Sequence, residues 1–384
     1  MTADLLRGVR VLDFTTTIAG PYCARLLADL GATVIKVEAP EGDMMRTRPP
    51  LRDGASTAFG QLNAGKMSLA LDLKTPPAQA AIKALLPSTD VVVENYRPGV
   101  MRRFGLDYEA MKAIKPDLVY CAISGFGQTG PSAGLAAYAP AIHAASGFDL
   151  ANMAYQPGRD RPDNCGVYVA DVVSGTYAFG AIASALLHRA RTGEGQMIDV
   201  SMLEATLSLL VSEIQTAQFP VPPAGRPMFG PVRTKDGFIM PAVASERTFV
   251  NLAKAAGRDD WVEDPRFKLY PNRRANWGDL IDELEAWSAT LTTAECQAAF
   301  ERTGVPCSPY RTVRELMADP QLQHRDAFSD VTDAGGTFRV LNPPFRLSGA
   351  HVRVRGFAAA LGEHTKAVLR EAGLDEAMIA AAIG

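Results

Sequence analysis

The sequence predicts an α/β fold whose first half is a parallel sheet covered by helices on both faces. Short β-branched runs alternate with amphipathic stretches, glycines and prolines punctuate each change of period, and a long apolar segment follows Asp171. Residues 9–15 form the first β-rich run, followed by Thr-Ile-Ala-Gly-Pro and a helical pattern over 22–30 that stops at Gly31. Further strands are predicted at 32–38, 66–71, 90–94 and 118–124, with helices at 77–86 and 108–115. A sheet of this kind gathers ligands beyond the carboxyl ends of its strands.

After Asp171 the pattern becomes helical over 172–191, closed by Gly193, and a second helix is predicted from Met202 to about Gln218. Residues 219–227 contain four prolines and cannot form a regular element, which marks a linker. Domain limits of 1–218 and 228–325 follow, the second smaller and of mixed α+β character. In it Lys235-Asp236-Gly237 reads as a hairpin turn, and 246–257 and 277–302 as helices. Beyond it, 340–347 and 351–355 read as strands and the last 20 residues as a helical tail.

Composition narrows the class of protein. The 384 residues carry a net charge of −3, with 47% hydrophobic and 21% charged residues, as in globular proteins of two or three domains. No basic stripe suited to a nucleic-acid backbone is present, so no nucleic-acid partner is expected. The cluster Arg97, Arg102 and Arg103 suits one phosphorylated small molecule or a solvated face. No secretory signal and no unbroken run of 18 apolar residues is read, so a cytoplasmic protein without a membrane partner is expected. Five scattered cysteines without a CxxC pair predict neither a disulfide framework nor a zinc site.

Several chemical motifs compete. GFGQTG, residues 125–130, matches the dinucleotide fingerprint, with Asp149 about twenty residues on, but Pro131 and Gly134 follow where that fingerprint needs a helix. A nicotinamide-dependent dehydrogenase is therefore a distant alternative. Asp171, at the head of the apolar segment, reads either as a helix N-cap or as a nucleophile kept anionic by the helix N-terminus. His143, His188, His324, His351 and His364 lack metal-ligand spacing, and G-x-S-x-G and Walker patterns are absent.

Taken together, VRVLDFTTTIAGPYCARLLADLGATVIKVE, LDLKT, VVENYRPGVMRRFGLDY, ISGFGQTGP, ADVVSG, LLHRARTGEGQMIDVSM and the closing GEHTKAVLREAGL resemble the class III CoA-transferases, the formyl-CoA transferase and carnitine CoA-transferase family. The resemblance implies a large Rossmann-like domain built from both chain ends, with 326–384 returning to it, a small domain between, and an interlocked homodimer. It implies Asp171 as the covalent nucleophile, forming an aspartyl acyl anhydride and then an aspartyl-CoA thioester, with no metal or redox cofactor. Acyl-CoA and free carboxylic acids are the implied substrates. The implied coenzyme A contacts are Thr17, Ile18, Leu71, Asp72, Leu73, Lys74, Asn95, Tyr96, Arg97 and Arg103. Tyr138 matches a tyrosine near the transferase substrate, and Arg46 and Arg48 are candidates for the far carboxylate of a dicarboxylic acid such as succinate. The alternative within the same fold is α-methylacyl-CoA racemase, whose histidine would fall at 137–139, where this chain has Ala-Tyr-Ala.

Overall fold

The structure, a computed structural model, describes residues 4–156, 158–219, 230–243 and 245–384. They divide into two compact units: one of residues 1–151, 162–211 and 321–384, the other of 152–161 and 212–320.

The first unit is built on six strands, β1 (Arg10–Asp13), β2 (Thr33–Glu38), β3 (Met67–Ala70), β4 (Val91–Glu94), β5 (Val119–Ser124) and β6 (Gln196–Ser201). Their order is β3-β2-β1-β4-β5-β6, and every neighbouring pair is parallel. The order reverses between β1 and β4, the place where open parallel sheets of this kind leave a crevice. Alternate residues supply two cores. Leu12, Ile35, Leu69, Val92 and Tyr120 pack with helix α2 (Pro76–Leu85) and with Val368, Leu369 and Ile379 of the C-terminal helices. Val11, Val34, Val91, Val93 and Val119 point the other way, against helices α1 (Ala19–Asp29) and α4 (Val169–Thr192). Helices α3 (Ala139–Ala145) and α5 (Met202–Leu207) complete that side.

Local chemistry explains the element limits. Thr75 caps α2 by accepting the Ala78 amide, and prolines occupy its first turn. α4 ends at Gly193, whose φ of 79° is the left-handed conformation that a C-terminal glycine adopts without strain. By length and apolarity α4 would suffice to cross a bilayer. Here Ala170, Ser174, Gly175, Ala178, Ile182 and Ala185 are buried against the rest of the unit.

The second unit has a three-stranded antiparallel sheet of Val232–Arg233, Phe238–Pro241 and Cys307–Pro309. Phe249, Trp261, Phe267, Trp277 and Phe300 fill its core. The Lys235-Asp236-Gly237 turn joins the first two strands.

One strand was missed and three sequence expectations are corrected. β6 was not anticipated, although QMIDVS alternates as an edge strand does. The helix expected from 202 to 218 is two, Met202–Leu207 and Val211–Thr216. That expected over 277–302 breaks into Trp277–Ser288 and Thr293–Thr303, because Thr292 and Glu295 form a reciprocal capping box that starts a new helix. In place of strands at 340–347 and 351–355, a hairpin joins Phe328–Asp333 to Gly336–Leu341, and 351–355 has no strand. Apart from Phe219, the proline-rich segment 219–227 lies outside the described residues.

Candidate active site

A cavity of about 250 Å³ opens beyond the carboxyl ends of β1, β4 and β5. Its wall includes Thr16, Thr17 and Ala19 after β1, Asn95, Tyr96 and Arg97 after β4, and Ser124 and Gly125 at β5. Tyr138 and Asp171 close it from the other side. The volume lies slightly below the ~300–1,000 Å³ of whole-ligand pockets, so it fits the reacting end of a large substrate better than all of it.

Asp171 does not cap α4; it lies in the first helical turn, and Tyr168 holds the N-cap position. Burial pushes its carboxyl up to about 6, against hydrogen bonding from the Ala19 backbone and from its own amide. The partial positive charge of the helix N-terminus adds to those amides. The contact with Ala19 depends on close approach of α1 and α4. A Cβ on Gly175 would lie 2.5 Å from the Ala19 carbonyl oxygen, so the glycine of ADVVSG lets the two helices meet. Gly125 does the same for the Tyr138 segment, since its Cβ would lie 2.3 Å from that of Ala137.

The β1 loop rests on a buried ionic layer. Lys66 Nζ donates to Asp13 at 2.7 Å, to the Pro21 carbonyl at 2.9 Å and to Asn63 at 2.9 Å. Lys36 Nζ donates to the Thr15 carbonyl at 2.7 Å and pairs with Asp43 at 3.0 Å. Asp13 accepts from the Thr15 amide and hydroxyl. Although burial opposes it, Lys66 and Lys36 hold the Asp13 carboxyl below the usual range. Burial pushes Lys66 down to about 8 against the pull of Asp13. The layer holds Thr17 at a φ of 70°, left-handed backbone that a β-branched residue adopts only under constraint. Lys36 within β2, Asp13 and Glu38 at the ends of β1 and β2, and Lys66 just before β3 are charged positions in or beside otherwise apolar strand runs.

The structure places the anticipated site residues in several groups. Thr17, Asn95, Tyr96, Arg97, Tyr138 and Asp171 line one cavity. Asn95 also clamps the β1 loop: it accepts the Thr16 amide and donates to the Thr16 carbonyl, both at 2.8 Å. Ile18 is turned inward, 5% exposed, against Met45, Phe59 and Leu62. Leu71 and Leu73 are buried in the sheet core, while Asp72 accepts the Lys74 amide in the turn after β3. Lys74 and Arg103 are exposed and lie outside the cavity wall. Arg46 grips Glu38 through two hydrogen bonds of 2.7 Å and donates to the Ala359 carbonyl. Arg48 is exposed and accepts the Ser56 hydroxyl through its carbonyl. The GFGQTG segment leads into no helix before Ala139; the Gln128 amide instead donates to Asp199 of β6. Among the described residues no cluster suited to a metal ion occurs.

Comparison with known proteins agrees with this geometry. Residues 6–365 match the model of CoA-transferase family III. A succinate–glutarate CoA-transferase of Agrobacterium fabrum is 34% identical over 383 residues, 95% of each chain. A succinyl-CoA–D-citramalate CoA-transferase of Chloroflexus aurantiacus is 34% identical, covering 95% of this chain and 93% of that one. The crystal structure of a CAIB/BAIF family protein from Brucella suis superposes with a TM-score of 0.84 at 34% identity, covering 96% of this chain and 99% of that one. With its parallel sheet, its cavity at the strand reversal and a family match over nearly its whole length, the chain belongs to CoA-transferase family III and is an enzyme that transfers coenzyme A.

Proposed function

We propose that the protein exchanges coenzyme A between a dicarboxylic acyl-CoA such as succinyl-CoA and a second carboxylic acid, with Asp171 as covalent nucleophile. The observation that carries this reading is the Asp171 carboxyl at the wall of the cavity, met by backbone amides and a helix N-terminus. Relatives named for succinate, glutarate and citramalate support the dicarboxylate class. Arg97 is the cationic side chain in the cavity wall, suited to a remote carboxylate or a nucleotide phosphate.

The chemistry needs only carboxylates and a thiolate. The Asp171 carboxylate attacks the donor thioester, and the CoA thiolate leaves a mixed anhydride. That thiolate attacks the Asp171 carboxyl carbon, releasing the donor acid and leaving Asp171 as a CoA thioester. The acceptor carboxylate displaces the thiolate to form a second anhydride. Attack of the thiolate on the acceptor acyl carbon then frees Asp171 and the new acyl-CoA. A small cavity bounded by the strand-end loops, the Tyr138 segment and the starts of α1 and α4 suits two intermediates that water would destroy.

The same proposal includes a Rossmann-like sheet, supported by the strand order, an interlocked homodimer and a cytoplasmic location. Exposed Val172, Tyr177 and Leu187 on α4 support the dimer, since a helix face that apolar ordinarily has a partner.

The test is mass spectrometry of acyl-CoA products after mixing succinyl-CoA with glutarate, citramalate and other carboxylates. New acyl-CoA is expected with the unmodified protein and none with Asp171→Asn. Solvent deuterium entering the α-carbon of a branched acyl-CoA, without CoA exchange, would replace transfer by racemisation.

A further inference from the structure

We infer that His143 is a positioning residue for the nucleophile, a neutral imidazole that fixes the first turn of α4 by accepting the amide of Ala170. The inference rests on the reading of Asp171 as nucleophile. The first amides of any helix lack intrahelical acceptors, and Tyr168, the N-cap residue of α4, supplies no side-chain acceptor. The Val169 amide turns to the Val167 carbonyl at 3.0 Å and the Val172 amide to that of Tyr168 at 3.0 Å. The Ala170 amide is met from a different helix: His143 Nε2, on α3, accepts it at 3.0 Å.

The ring is held from every side. It is 1% exposed and lies 5.2 Å, centre to centre, from the Phe148 ring. Because Nε2 accepts, the proton of the neutral ring is on Nδ1, which faces Cys165 Sγ at 3.8 Å. The Cys165 thiol in turn donates to the Val167 carbonyl at 3.5 Å. One imidazole thus joins α3, residues 165–167 and the start of α4. Ala170 immediately precedes Asp171 in the chain, so a shift of its backbone carries the carboxylate with it. Both ring nitrogens face partners within the fold and His143 is absent from the cavity wall, so the ring acts through the backbone rather than on substrate.

Variants at 143 test this with kinetics of CoA exchange. His143→Ala should lower kcat by about 10- to 100-fold, the scale of a misplaced reacting group, while KM for succinyl-CoA changes less than about threefold. His143→Gln, whose amide oxygen can take the place of Nε2, should recover kcat to within about fivefold of the unmodified protein. An unchanged kcat in the alanine variant, or a folded glutamine variant as slow as the alanine one, would overturn the role. Nitrogen-15 NMR of the unmodified protein gives a readout that needs no turnover. The imidazole signals lost in His143→Gln should report a protonated Nδ1 and a bare Nε2; a protonated Nε2 would overturn the hydrogen bond itself. If the unmodified protein exchanges no CoA, the transferase reading fails while the NMR result still decides the contact. If it exchanges CoA and the alanine variant matches it, the positioning role alone fails.

Discussion

Two aspartates, Asp13 and Asp171, stand in the same unit and face opposite electrostatic surroundings. Asp13 is fully buried beneath the β1 loop with Lys66 at 2.7 Å, and with Lys36 it is held anionic. Asp171 is half-buried, and only backbone groups act on it, so burial wins and its carboxyl rises to about 6. The difference teaches what separates a structural carboxylate from one suited to the nucleophilic role proposed for Asp171. A cation neutralises the first and occupies its lone pairs. Dipoles keep the second ionised near neutral pH while leaving it free to attack.

Removing the cation is the most severe way to break this comparison. Lys66→Met leaves Asp13 buried without its hydrogen-bonded cation and should destabilise the protein by about 3–5 kcal/mol in urea unfolding. The double variant Asp13→Asn with Lys66→Met should recover much of that loss. If Lys66→Met is neutral, the ionic layer does not hold the loop.

A smaller effect of opposite sign is expected at Asp171. Its folded-state pKa is raised, so the stability it contributes is fully present below about 3.8 and is lost as pH rises through about 6. Asp171→Asn should therefore be more stable than the unmodified protein at pH 7–8, by on the order of 2 kcal/mol, and the gap should close as pH falls toward 4. Thermal unfolding across that range checks it, and a gap that widens toward acid would reverse the assignment. The rate of exchange should follow the same ionisation, rising with pH through about 6.

The mildest change sharpens the comparison through the backbone contact at Asp171. Gly175→Ala should push α1 from α4, cost about 1–3 kcal/mol and slow exchange through loss of the Ala19 contact. Equal kcat in the variant would show that this contact is dispensable.

Much of the fold was legible because it is written in local periods. The first five strands and the glycine end of α4 follow from alternation, β-branched runs and the φ freedom of Gly193. β6 was hidden because a six-residue strand at the sheet edge leaves its first four residues half-buried or exposed, with a weak apolar signal. The break at Thr292 is legible in its Thr-x-x-Glu spacing.

The sequence by itself determined the alternation, the small residues around Asp171 and a motif order specific enough to indicate a CoA-transferase. Only the tertiary structure decided which charges are engaged. Arg46 is drawn to Glu38 and Ala359, while Arg97 is left in the cavity wall. Likewise Asn95 closes on Thr16 across 79 residues, and His143 reaches Ala170 across 27. The physical reason is range: helix and strand periods arise between neighbours in the chain, whereas a hydrogen bond or ion pair forms between whichever groups the packed sheet brings within about 3 Å.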